Sequence, residues 1–188
     1  ENMGIGRDEG FSADDVPPSS VHRVAVGEGK TSRLLPSMAR YFAEKGELAL
    51  VMMPEAQLPS AGREFSQIMK DVYGVSTVTV EVTRNEATLG FLQSLSDQIK
   101  EARQLGKPVL TCSKSVRVLR NLFIENYEAA LTRLHKGEPD DGSIGKVNAL
   151  RQILASIEVK PLIDELHKEY DTRVETNHPF GDAKSLPE

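Results

Sequence analysis

From residue 21 onward the chain alternates short apolar runs with amphipathic stretches. Residues 21–26 (VHRVAV) read as a strand that ends at Gly27. Over residues 30–45, Leu34, Leu35, Met38, Tyr41 and Phe42 recur at helical spacing, which predicts a helix. Pro36 falls in its first turns, where a missing N–H costs least, and Gly46 is a natural stop. Residues 48–53 (LALVMM) are apolar without interruption, as in a strand buried on both faces. Residues 60–73 read as a helix through Phe65, Ile68, Met69 and Val72, ended by Gly74. Residues 75–83 (VSTVTVEVT) put Val78, Val80 and Val82 on one face and polar residues on the other, the pattern of a strand covered on one side at a sheet edge.

A helix is predicted over residues 86–105, and residues 108–112 (PVLTC) form another buried-type strand. Residues 113–136 predict a long helix with Val116, Leu119, Phe123, Tyr127, Ala130, Leu131 and Leu134 on one stripe. A loop rich in Gly, Asp and Pro spans 137–145, and a further helix runs to about residue 157. Residues 159–163, interrupted by Lys160 and Pro161, are the last strand and lead into Asp164 and Glu165.

Strand followed by helix, repeated along the chain, predicts an α/β fold of right-handed βαβ units: a mostly parallel sheet with helices on both faces. Ligands bind such sheets at the carboxyl ends of the strands. The polar residues 1–20 read as a loosely ordered arm, and 21–188 as a single lobe.

Composition narrows the function. A chain of 188 residues with 39% apolar and 27% charged residues suits one buried core and excludes wholesale disorder. The formal net charge of −5 argues against the broad basic face of a duplex-DNA binder, while leaving room for a local groove. Lys114, Arg117 and Arg120 share one side of a predicted helix and are either a phosphate-contacting patch or a solvated face. Aromatic residues are 5% and Trp is absent, which weakens a base-stacking platform. With one cysteine no intramolecular disulfide forms, so a reducing intracellular compartment is the expectation, and Cys112 reads as a core thiol. His22, His135, His167 and His178 share no metal-ligand spacing. The apolar run at 48–53 is far shorter than the ~20 residues of a membrane-spanning helix, so no span is expected.

Two motifs carry chemistry. Gly27-Glu28-Gly29-Lys30-Thr31 stands between a predicted strand and helix. Phosphate groups need clustered backbone N–H groups, a helix N-terminus and a cation, and this segment supplies all three. Lys30 would reach the β- and γ-phosphates and the Thr31 hydroxyl would help hold Mg²⁺. The strict phosphate-loop pattern wants glycine where Val24 stands, so only its GxGK[ST] portion is intact; the competing reading is a flexible Gly-rich turn with a surface lysine. The second motif, Leu162-Ile163-Asp164-Glu165-Leu166-His167, runs from an apolar strand into two carboxylates. One carboxylate can support Mg²⁺ and the other can position or deprotonate an attacking water. An acidic amphipathic surface segment is the alternative.

Together, GEGKT and DELH resemble motifs I and II of superfamily 2 helicase-like ATPases of the DExH type, as a first RecA-like lobe. Pro54-Glu55-Ala56-Gln57-Leu58 and Thr111-Cys112-Ser113-Lys114-Ser115 stand where those proteins carry motifs Ia and Ib. The GEGKT form is also similar to SecA-type translocase motors, and GEGKTSRLLP resembles large helicase-like proteins in which motif II is followed by a stretch like Asp171-Thr172-Arg173-Val174-Glu175-Thr176-Asn177. The resemblance covers about residues 21–181 and implies ATP and Mg²⁺ as cofactors. It makes Gly27, Glu28 and Gly29 the phosphate cradle, with Lys30 on the β/γ-phosphates and Thr31 and Asp164 at the metal. Glu165 is then the general base, and His167 couples the nucleotide state to a partner domain. Ala56, Gln57, Leu58, Thr111, Ser113 and Lys114 would face a translocated polymer, either single-stranded nucleic acid or polypeptide.

Some features depart from that family. No Ser-Ala-Thr-type motif III follows His167, no adenine-reading glutamine precedes the phosphate loop, and no second RecA-like lobe with arginine fingers is present. Such fingers are worth about 10³–10⁵ in rate. The expectation is a fragment that binds nucleotide with little turnover. The alternatives are a SecA-like protein-translocating lobe and a catalytically silent interaction module.

Overall fold

A computed structural model of the chain describes residues 30–140, 142–157 and 161–163, and for Lys30 and Thr31 the backbone alone. A π-helical turn, Lys30–Leu34, leads directly into α1 (Leu35–Glu44). Pro36, in the first turn of α1, lacks the N–H that would bond residue 32, and the α-helical ladder gives way to the wider turn at this point. After α1 come β1 (Leu50–Met52), α2 (Leu58–Tyr73), β2 (Val78–Val80), a 3₁₀ turn (Arg84–Glu86), α3 (Leu89–Gln104), β3 (Val109–Thr111), α4 (Ser113–Lys136), α5 (Ser143–Ile157) and β4 (Leu162–Ile163). The predicted strand at 21–26, the arm at 1–20, residues 158–160 and everything after Ile163 lie outside the described residues.

The four strands form one sheet in the order β2-β3-β1-β4, and every pairing is parallel. Leu50 pairs with Val109, Val51 with Leu162 and Val78 with Val109. This is the α/β architecture with a parallel sheet that the strand–helix alternation predicts.

Alternate strand residues feed two cores, as the two-residue period of a strand requires. Val51, Met53, Leu110 and Leu162 pack with Leu35 and Ala39 of α1 and with Leu58, Phe65 and Met69 of α2. Leu50, Val80 and Val109 pack with Leu92, Leu95 and Ile99 of α3, Val116 and Leu119 of α4, and Leu150 and Ile153 of α5. Helices α1 and α2 thus cover one face of the sheet and α3, α4 and α5 the other. Continuous apolar runs such as LALVMM follow from this burial on both sides.

Beyond shifts of one or two residues at element ends, the structure departs from the sequence reading at the edge strand, at the start of α3 and along α4. The edge strand is three residues long, not nine: Val82 N–H leaves the ladder and donates to Ser115 Oγ (3.1 Å). The helix expected from residue 86 starts at Leu89, because Thr88 adopts an extended backbone and its hydroxyl accepts from Phe91 N–H as an N-cap. The predicted stripe of α4 divides: Val116 and Leu119 are buried and Phe123 is half-buried, whereas Tyr127, Leu131 and Leu134 are exposed, and Leu122, outside that stripe, is buried as well.

Candidate functional site

In a parallel sheet all carboxyl ends lie along one edge, and the chain there turns from strand to helix. After β1, the Pro54 carbonyl accepts from Gln57 N–H (2.9 Å) and Leu58 N–H (3.0 Å), which folds residues 54–57 into a turn that starts α2. After β3, Cys112 is extended and α4 begins at Ser113. Met53 N–H donates to the Thr111 carbonyl (2.9 Å), and Lys114 Nζ donates to Glu55 Oε1 (2.7 Å). The two segments compared with motifs Ia and Ib are therefore neighbours, joined by an exposed ion pair. The Glu55 carboxylate, through this hydrogen bond and its charge, holds the Lys114 ammonium above the usual lysine range.

Two of the residues expected to face a polymer turn inward. Leu58 is buried in the core beneath α2, because it occupies the sheet-facing stripe of that helix. Thr111 is also buried, and its hydroxyl donates to the Val80 carbonyl (2.8 Å), so it ties β3 to β2. The side-chain surface open to a ligand at these two turns comes from Glu55, Ala56, Gln57, Ser113 and Lys114.

Ser115 is a residue that the pattern of the chain did not single out. It is buried, accepts from Val82 N–H, and lies 3.4 Å from Cys112 Sγ. One hydroxyl thereby anchors the end of the edge strand to the first turn of α4. Its sequence signals were its place at the end of the segment 111–115 and a serine in a strand-to-helix turn. Cys112 is buried, as expected of a core thiol.

The nucleotide candidates are placed in part. Lys30 and Thr31 open the helical segment that continues into α1. Gly27, Glu28 and Gly29 lie immediately before the described residues. Asp164 follows Ile163, the last residue of β4, and Asp164, Glu165 and His167 lie outside the described residues. Leu35, near the start of α1, and Leu162 of β4 share one core.

A groove of about 830 Å³ runs between α2 and the edge strand, lined by Arg63, Gln67 and Lys70 on one wall and Thr77, Thr79 and Glu81 on the other. A second, of about 440 Å³, lies by the amino end of β1, where Arg103 Nε donates to the Gly46 carbonyl (3.0 Å). Among the described residues no group of three His, Cys, Asp or Glu side chains could hold a metal ion, and no helix is long and apolar enough to cross a membrane. No protein-family model, no curated protein and no solved structure matches this chain.

Proposed function

We propose that the chain is the nucleotide-binding lobe of a helicase-like NTPase with a RecA-like, phosphate-loop fold. The observation that carries this reading is the shared core of α1 and β4. Lys30 opens the helical segment whose Leu35 packs in the same apolar layer as Leu162. Asp164 comes two residues after Leu162. The two motifs, more than 130 residues apart in sequence, thus flank elements that meet in one layer. In addition β4 pairs with β1 alone among the described strands, which leaves its other side for a strand at residues 21–26. A parallel strand there would bring residues 27–31 and Asp164 to neighbouring carboxyl ends.

In this reading Gly27, Glu28 and Gly29 present backbone N–H groups to phosphate, and the start of the helical segment adds its dipole. Lys30 neutralises the β/γ-phosphates. Thr31 and Asp164 hold Mg²⁺, whose contribution is to offset the charge that develops on the phosphoryl oxygens. Glu165 orients the attacking water, and His167 couples the site to a neighbouring lobe. A polymer would be read at Ala56, Gln57, Ser113 and Lys114.

The test is titration of the chain with a fluorescent ATP analogue in the presence of Mg²⁺. Saturable binding is expected, weakened at least about tenfold by Lys30→Ala and by removal of Mg²⁺. Binding that Lys30→Ala leaves unchanged would overturn the site assignment.

A further inference from the structure

The sheet has an edge that the nucleotide site does not use. Among the described strands β2 pairs with β3 alone. Val78 N–H donates inward, to the Pro108 carbonyl (2.9 Å). Successive residues of a strand turn their backbone groups to opposite sides, so the N–H and C=O of Thr79 point outward, beside the groove between this edge and α2. A row of outward backbone groups fits one kind of occupant, another extended segment. Side chains alternate in the same way. Val78 and Val80 pack with the core under α3, α4 and α5, whereas Thr77, Thr79 and Glu81 line the groove with Arg63, Gln67 and Lys70 of α2. The Lys70 ammonium and the Glu81 carboxylate are exposed, and neither has a hydrogen bond or ion pair among the described residues.

We infer that the segment added to this edge is β2 of a second copy of the chain, paired antiparallel about a two-fold axis at Thr79. A two-fold interface must complement itself, with each contact occurring twice. This edge does so along its backbone and on both faces. Thr79 meets Thr79 of the second copy as a hydrogen-bonded pair, in which each N–H donates to the other's carbonyl. On the core face Val78 stands opposite Val80 of the second copy, a β-branched pair that covers the half-buried Val78. On the groove face Glu81 stands opposite Thr77 of the second copy. The Thr77 hydroxyl lies 2.6 Å from that of Ser66, and Lys70 is the next turn of α2, so Glu81 comes beside Lys70 of the second copy. Two opposite charges without a partner in the described part of one chain therefore answer each other across the axis. The unfavourable element is Arg63, one turn to the other side of Ser66, which nears its own copy at the axis. A three-residue strand makes a small interface, so the dimer has a micromolar dissociation constant.

Sedimentation equilibrium of the 188-residue chain between about 5 and 200 µM tests this. The average mass should climb from 20.7 kDa towards twice that value. Thr79→Pro should weaken association at least about tenfold, because an edge strand accepts proline where its N–H faces outward but loses that donor from the seam. Unchanged circular dichroism checks that this variant keeps its fold. Glu81→Lys should weaken association severalfold, the Glu81→Lys/Lys70→Glu exchange should restore it, and Arg63→Gln should tighten it. Restoration by the exchange is the decisive reading, since both side chains are exposed and the effect depends on register, not on the stability of either variant. A mass that stays at 20.7 kDa throughout overturns the inference and leaves the edge to a strand of the same chain or of a different protein. A dimer indifferent to Thr79→Pro and Glu81→Lys also overturns it, as does an exchange that associates no better than Glu81→Lys alone.

Discussion

Replacing Ser115 by alanine probes how the turn before α4 is held. The Ser115 hydroxyl is the acceptor for Val82 N–H at 3.1 Å, and both residues are buried, at 3% and 4% exposure. Alanine fits the same space but leaves that N–H with no partner and no route to water. An unsatisfied buried donor costs about 1–3 kcal/mol. Alanine's greater helix propensity offsets this by at most about 0.5 kcal/mol. The net expectation is a loss of about 1–2 kcal/mol, with Tm falling about 2–4 °C per kcal/mol for a chain of this size. Urea unfolding followed by circular dichroism gives the free energy, and native-state hydrogen exchange at the Val82 amide gives the location. Faster exchange at Val82 should accompany the loss. A variant as stable as the parent, with Val82 protection unchanged, would refute the view that this hydroxyl anchors the edge strand.

Phe65→Ala should cost about 3–5 kcal/mol in the same assay, because Phe65 is fully buried between α2 and the sheet and its removal leaves a cavity. The Lys114–Glu55 pair should respond to alkali. Its lysine is raised above the ordinary value of 10.5, so its contribution is fully present below that value and is lost as pH rises through the raised one. The difference in Tm between the parent and Lys114→Met should therefore be constant across neutral pH and vanish in strong alkali. That difference should be small at every pH, because both side chains are more than half exposed.

Much of the fold was legible because it rests on local rules. Residues 48–53 are apolar throughout and 108–112 are apolar except for Thr111, and β1 and β3 lie within them between the two cores. The ends of α4 agree with the sequence reading, since Gly137 supplies the left-handed residue at which a helix of L-residues stops. Gly74 does the same for α2. The proposed site was legible only as candidates, two motifs and two strand-to-helix turns, because phosphate chemistry and turn formation need particular residues at short spacing; of these the structure places the two turns. The inward turn of Leu58 and Thr111 was not legible, since an apolar residue at a helix start and a threonine at a strand end read the same whether they face a groove or a core.

What the sequence determined by itself is therefore, among the described residues, the set of elements and their alternation, while residues 27–31 and 164–167 stand as the candidate chemistry it proposes. These depend on spacing along the chain. Tertiary structure alone decided the strand order β2-β3-β1-β4, the sharing of one core by α1 and β4, and the link from Ser115 to Val82. It also decided which part of the α4 stripe meets the sheet. The apolar period of that helix runs nearly its whole length, but α3, α5 and the sheet cover it only as far as Leu119 with full burial. Hydrophobic periodicity specifies that a face exists. Only the extent of the neighbouring elements specifies how much of it they cover, and so leaves Ile124, Tyr127, Leu131 and Leu134 on the outside.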